Sequence, residues 1–425
     1  MAAILCAMNR RPIRRVAIAG DGPAGTTLAA LLGREGIRVV LFARGRPTGL
    51  VVGESLIPAV TPILRTLGIE NEVRSYGVLK PGATFVQGDG ETVAFRFAAT
   101  AGRIPGYAYN VPRDRFDATL LAVCLRSGAH VLPDPARLER EPTASGRIRL
   151  ADPSAEAAAD LLGGPPDLIV DATGRSNTVA RLLDLPADAG DRRDAALFAH
   201  CEGIPIDHAG HVHMDHLERG WCWRIPVAED RVSVGIVVHP DALAGFGRDA
   251  EAQFDGICAA DPRLKSLTAE SRRLSPVLRY GNYQWTTRVG VGPGWALVGD
   301  AFGFIDPIFS SGLLLAMDGA RALADAVRSG TPAAFRRYEA RTMRHHEAWR
   351  RLVGYYYDGR IFELIRLGRP DEPNWIGRLV NPHVRKHVSR ILTGEATTAR
   401  YSRWLLDFMI ARGLRGSEPS ELRIR

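Results

Sequence analysis

Lysine is nearly missing from this chain. Of its 55 basic residues only three are lysine: Lys80, Lys265 and Lys386. Arginine serves almost wherever a positive charge suffices, so each surviving lysine raises the question of whether an amine that can lose its proton is needed there. Cysteine is scarce too. Cys6, Cys124, Cys201, Cys222 and Cys258 form no C-x-x-C pair and no ligand spacing. That excludes a disulfide scaffold and a cysteine metal site, and it points to a reducing compartment. No apolar run reaches the ~18 residues of a spanning helix. The opening MAAILCAMNRRPIRR puts its apolar piece before its arginines, the reverse of a secretory signal. These absences predict a soluble, cytoplasmic protein with no membrane partner. The net charge is +8, yet the arginines are scattered and no nucleic-acid motif appears. No nucleic-acid partner is expected; a basic surface suits an anionic cofactor or an acidic protein.

What is present is a chain of 425 residues and 46% hydrophobic content, enough for two or three domains without covalent staples. An apolar run from Arg14 to Ala19 leads into GDGPAG (Gly20 to Gly25), a helix to about Arg34, and a second strand, Ile37 to Phe42. In this G-x-G-x-x-G, Gly20 makes the tight turn, Gly22 lets a pyrophosphate approach the backbone, and Gly25 lets helix and strand pack closely. The helix start around Ala24 offers free N–H groups to phosphates. The acidic residue expected after the second strand is missing; the chain reads Phe42-Ala43-Arg44. Ribose must then be held by backbone groups and Arg44.

Further along, helices are expected over Ala59 to Leu67 and over Pro112 to Arg126, the latter with Leu120, Leu121 and Leu125 inward. Strands are expected over Ala83 to Phe97, Pro166 to Gly174 and, in antiparallel alternation, 195 to 240. DPSAEAAADLLGG reads as a surface excursion. Helix is expected from about Leu313, and an arginine-rich helical region from 331 to near Arg412. Two stretches carry chemistry. GDAFGFIDPIFSSG runs from strand through loop to helix, and its Gly299-Asp300 resembles the Gly-Asp with which FAD proteins hold the ribityl chain, Asp300 accepting from its hydroxyls; the other reading is an aspartate that caps a helix. GWCWRIPV sets Trp221 and Trp223 two apart on one strand face, either as core residues or as a dry wall.

Together GDGPAG, VGESLIP (Val52 to Pro58), GWCWRIP and GDAFGFIDPIFSSG resemble the flavin-dependent halogenases of the phenol/pyrrole type, within the FAD-dependent monooxygenase superfamily. The resemblance covers about residues 13 to 330. It implies an α/β fold: a Rossmann-like FAD-binding domain of the GR2 type from segments 13-70, 110-185 and 285-330, an inserted, mainly antiparallel β-sheet substrate-side layer from 71-109 and 186-284, and a helical C-terminal region, 331-425. FAD would be bound by Gly20, Gly22, Ala24, Gly25, Arg44, Ser55, Arg113, Gly299, Asp300, Pro307 and Gly312. Halide, chloride or bromide, would sit at Ser310, Ser311 and Gly312. No metal is implied.

The chemistry implied is formation of hypohalous acid from O2, halide and FADH2 through a flavin hydroperoxide. Trp221 and Trp223 would keep substrate from the flavin, and Lys80, in VLKPG, would pass the oxidised halogen to an electron-rich aromatic. Phe309 stands where tryptophan halogenases carry a glutamate, so a phenol or pyrrole, free or on an acyl or peptidyl carrier protein, is the expected substrate, in natural product biosynthesis. No second nucleotide fingerprint is visible, so a separate flavin reductase is an expected partner. Two other readings stay open: an FAD-dependent aromatic hydroxylase or oxidoreductase on the same scaffold, and a flavoprotein that binds a partner without turnover.

Overall fold

The computed structural model describes residues 12–45, 50–88, 90–97, 104–142, 144–190, 192–281, 284–362, 383, 386–395, 399–413 and 424. The opening segment with Cys6, and nearly all of the last dozen residues, lie outside that set.

Two sheets organise the molecule. The first has six strands in the order Val291–Gly292, Trp295–Leu297, Leu168–Asp171, Arg15–Ala19, Arg38–Phe42 and His130–Leu132. Its five strands from Trp295–Leu297 to His130–Leu132 pair in parallel, with Val16 opposite Leu168 and Arg15 opposite Arg38, and Val291–Gly292 is antiparallel to its neighbour. Parallel strands covered on both faces read as continuous apolar runs, and Val16–Ala19 and Val39–Phe42 are buried without a break. The helix Pro23–Gly33 connects the first two strands, and the helix Ser311–Ser329 packs beside it.

The second sheet has eight strands. Its path runs Arg272–Arg273, Ala195–Glu202, Arg231–Val238, Gly220–Ala228, Val212–Leu217, Gly82–Val86 and Thr92–Arg96, with Leu278–Gly281 also on Ala195–Glu202. All these pairs are antiparallel except Val212–Leu217 with Gly82–Val86. A short ribbon, Val78–Lys80 on Ala108–Asn110, lies outside both sheets. The 26-residue helix Pro332–Tyr357 packs along Ser311–Ser329. One apolar cluster joins the second sheet to this helix, through Phe85, Trp221, Trp223, Phe309, Trp349 and Tyr356. The α/β class, with a Rossmann-like parallel sheet and a helical part after residue 331, is therefore the fold observed.

One expectation is corrected. In the helix Arg113–Arg126 the inward residues are Phe116, Leu120, Val123 and Cys124, while Leu121 is half-buried and Leu125 is 52% exposed. The spacing 116, 120, 123, 124 follows the 3.6-residue period, and Leu125 falls off that face. The surface segment DPSAEAAADLLGG is helical over Asp152–Leu162. It starts on Pro153 in its first turn, buries Ala158 and Leu162 against the first sheet, and ends at Gly163 with φ +70°. Four of the cysteines are described, all free and buried. Among the described residues no helix is long and apolar enough to cross a membrane, and no group of three side chains is arranged for a metal ion.

Candidate active site

The glycines of GDGPAG do what the turn requires. Gly20 has φ +112°, and a Cβ there would lie 2.3 Å from the Ala172 carbonyl oxygen. At Gly25 a Cβ would lie 1.9 Å from the Gly20 oxygen, so the first helix could not approach its strand. The helix N-terminus therefore faces an open cavity of about 1090 Å³ lined by Gly20, Gly22, Arg44, Arg175 and Asp300. A second cavity, of about 190 Å³, shares Gly22, Pro23, Arg113, Asp300 and Pro307 with it and continues toward the second sheet. A phosphate-cradling mouth that narrows into a mostly apolar chamber fits a flavin dinucleotide.

The loop lining agrees with that fit. Gly299 takes φ +64°, and a Cβ there would meet the Ala24 methyl at 2.9 Å. Asp300 follows at the junction of the two cavities, and burial pushes its carboxyl up to about 6 against the pull of Arg175 and Arg113. Arg113 is buried, pairs with Asp117 at 3.1 Å and donates to the Val52 carbonyl at 2.6 Å, which pins the VGES loop to the cavity. Ser310, the residue before the helix Ser311–Ser329, sits in the left-handed region at φ +55°. Its side chain makes no capping bond, so the serine is not there as an ordinary cap, although its own N–H is spent on the Pro307 carbonyl at 2.8 Å. Ser310, Gly312 and Leu313 line the chamber; Ser311 is buried behind them.

Trp221 and Trp223 form the opposite wall. Both line the chamber, their ring centroids lie 5.8 Å apart, and both are buried. Trp223 can lie flat because its partner on the next strand is Gly235: a Cβ there would come within 2.0 Å of the indole. Its Nε1 donates to Ser233 Oγ at 3.2 Å. Trp221 donates to Tyr357 Oη at 2.8 Å. Phe309 packs against Trp349 and Tyr356, with centroids at 6.3 and 5.8 Å.

Lys80 ends its short strand fully buried, while Lys265 and Lys386 are exposed. Its Nζ donates to Ser55 Oγ at 2.8 Å and to the Leu56 carbonyl at 3.1 Å. No carboxylate is among those contacts, and burial pulls the amine down to about 7. Ser55 lines the chamber, so the amine sits one side chain behind its wall.

Sequence reasoning missed three members of this site. Glu54 lines the chamber and meets His200 Nε2 at 2.7 Å, both buried. Arg175 reaches the larger cavity. Tyr357, the last residue of the helix Pro332–Tyr357, holds the Trp221 indole. Glu54 stood inside VGESLIP and could have been flagged as a lone acid in an apolar run; His200 and Tyr357 carry no local signal, since only the fold brings them near.

The fold and cavity define an FAD-binding flavoprotein. The family model for the FAD binding domain matches residues 14–139, and that for tryptophan halogenase matches residues 100–361. The chain belongs to the tryptophan halogenase family. It is 28% identical over 324 residues to a tryptophan 2-halogenase of Chondromyces crocatus, covering 74% of this chain and 61% of that one. It is 25% identical over 379 residues to the 1H-pyrrole-2-carbonyl-[peptidyl-carrier protein] chlorinase of Pseudomonas fluorescens, covering 80% and 83%. Among solved structures, the flavin-dependent brominase Bmp2 superposes with a TM-score of 0.77 at 20% identity, over 96% of this chain and 100% of that one. The chain spans under two thirds of the length of the curated relatives it matches first, 61% for the Chondromyces protein.

Proposed function

We propose that this protein is a flavin-dependent halogenase acting on an electron-rich aromatic, a phenol or pyrrole, free or tethered to a carrier protein. The observation that carries this reading is the placement of Lys80: a buried amine near neutrality, held by Ser55 at the edge of a chamber whose far wall is Trp221 and Trp223. Reduced FAD supplies, with O2, the oxidising equivalent that converts halide to hypohalous acid. The chain's own residues do the rest. The Gly20–Gly25 turn and Asp300 hold the cofactor. The free N–H groups at the start of Ser311–Ser329 attract halide. The tryptophan wall excludes water and keeps substrate at a distance. The Lys80 amine, deprotonated in part at pH 7, attacks the halogen of hypohalous acid; the N–X bond forms as the X–O bond breaks, hydroxide leaves as water with the amine's proton, and the halogen is presented in a fixed geometry. Arginine could not serve, because its guanidinium does not lose a proton.

Phe309, packed on Trp349 and Tyr356, offers no carboxylate to activate an indole, which favours substrates that need none. The pyrrole chlorinase relative, whose name specifies a carrier-bound substrate, supports the tethered variant. Reducing equivalents are assigned to a separate flavin reductase. The test is mass spectrometry of small phenols and a pyrrolyl carrier protein incubated with the protein, reduced FAD, O2 and chloride or bromide, with catalase present. A halogen isotope pattern that needs halide supports the reading. Oxygenated, halogen-free product would replace it with the hydroxylase reading.

A further inference from the structure

The helix Pro332–Tyr357 does more than cover the second sheet. Its last residue, Tyr357, stands in the middle of a buried hydrogen-bond chain. Trp221 Nε1 donates to Tyr357 Oη at 2.8 Å, and Tyr357 Oη donates to Asp306 Oδ2 at 2.9 Å. The other oxygen of Asp306 accepts from the Ile308 N–H at 3.0 Å. All three side chains are buried: Trp221 is 1% exposed, Tyr357 6% and Asp306 0%. The Arg192 guanidinium lies 3.8 Å from the centre of the Tyr357 ring and is itself held by Asp194 at 2.6 Å. The chain thus links three segments distant in sequence: the tryptophan strand, the helix Pro332–Tyr357, and the loop Ile305–Ser310 that lines the chamber beside the proposed cofactor and halide positions. Burial and the neighbouring Asp306 and Asp194 push the Tyr357 hydroxyl well above its ordinary range, so it remains a donor at any working pH.

We propose that Tyr357 is a positioning residue, which fixes the Trp221 indole in the chamber wall and makes its orientation depend on the loop carrying Asp306. This rests on the halogenase reading for its consequence, leakage of oxidant, but not for its geometry. A buried indole can rotate about two side-chain torsions, and only its N–H gives the protein a directional hold on it. A hydroxyl that donates onward to a carboxylate is the stronger acceptor for it, because hydrogen bonds in a chain polarise one another. Tyr357→Phe preserves the ring, its packing on Tyr356 and the Arg192 contact, while removing the acceptor of Trp221 Nε1 and the hydroxyl that donates to Asp306 Oδ2.

The first experiment uses flavin-free protein labelled with [15N]tryptophan, the Trp221 indole signal being assigned by its loss in Trp221→Phe. Tyr357→Phe is expected to move that signal upfield and to speed exchange of its proton about tenfold. Asp306→Asn is expected to move the same signal in the same direction although Asp306 does not touch Trp221, and to add nothing in the Tyr357→Phe background. A Trp221 signal indifferent to Asp306→Asn, or shifted further by it in that background, would overturn the relay. The second experiment uses the FAD-loaded protein. Tyr357→Phe is expected to lower the ratio of halogenated product to hydrogen peroxide about fivefold, with unchanged FAD affinity and substrate KM. An unchanged ratio would overturn the functional half of the proposal. If the wild type halogenates nothing, the halogenase reading fails, and the indole signals still decide the relay.

Discussion

Lys80 Nζ donates to Ser55 Oγ at 2.8 Å, and by that contact the only buried one of three lysines meets the chamber wall. Two features set the amine's chemistry. No carboxylate is among its hydrogen-bond partners, and the Phe97 ring, 5.4 Å from the nitrogen, offers only weak compensation. Burial therefore decides, and it favours the neutral amine.

That balance is directly measurable. With three lysines, [15N]lysine labelling gives three side-chain signals, and the one lost in Lys80→Met is expected to titrate with a midpoint near 7. The sign for stability follows. Between about 7 and about 10 the unfolded chain keeps a proton that the folded chain has released, so this group makes the fold more stable as pH rises through that window. Lys80→Met removes the cost of burying a charge and is expected to raise the melting temperature at pH 6 by a few degrees, roughly. A melting temperature lowered at pH 6 would show that the ammonium is well held.

Asp300 titrates the other way. Its carboxyl is pushed up to about 6, above the unfolded value, so the flavin-free fold loses stability from this group as pH rises through about 4 to 6. Ribityl hydroxyls donate to a carboxylate, so FAD affinity is expected to strengthen as pH rises from 5 to 7. Flavin fluorescence quenching checks this. Asp300→Ala is expected to weaken FAD about tenfold or more, or ~1.4 kcal/mol, and Asp300→Asn to flatten the pH dependence.

Gly235 permits the flat packing of Trp223. Gly235→Ala places a methyl where the indole now lies, and overpacking of this kind costs about 1–3 kcal/mol. Denaturant melts are expected to show that loss, and the displaced ring to lower the yield of halogenated product per flavin oxidised.

Glu54 and His200 share a buried contact of 2.7 Å at the chamber edge. Glu54→Ala leaves His200 without that partner, and such a loss costs about 1–3 kcal/mol. Glu54→Gln keeps an acceptor for the ring and is expected to cost less. Urea unfolding of both variants measures the difference.

The sequence was informative where chemistry is local. The Gly20 turn, the Gly25 contact and the placement of two tryptophans on one strand face follow from spacing alone, because sterics within a few residues dictate them. Asp152–Leu162 is harder to read as a helix, since an alanine-rich segment with only Ser154, Ala158 and Leu162 buried resembles a polar surface excursion. The inward face of Arg113–Arg126 follows the helical period from Phe116 and not the leucine positions, so Leu125 falls outside it. The pairs Glu54–His200 and Trp221–Tyr357 join residues 146 and 136 positions apart. Nothing local encodes them; they exist because the two sheets and the helix Pro332–Tyr357 meet at one chamber.

The most direct test of the account compares wild type, Lys80→Ala and Lys80→Arg in the halogenation assay, with flavin reoxidation and product followed together. The account predicts that both variants bind FAD and reoxidise reduced flavin as the wild type does, release the oxidant as peroxide or free hypohalous acid, and form no regiospecific halogenated product. Halogenated product from Lys80→Arg at the wild-type rate would contradict it, because a guanidinium cannot carry the halogen as an amine does.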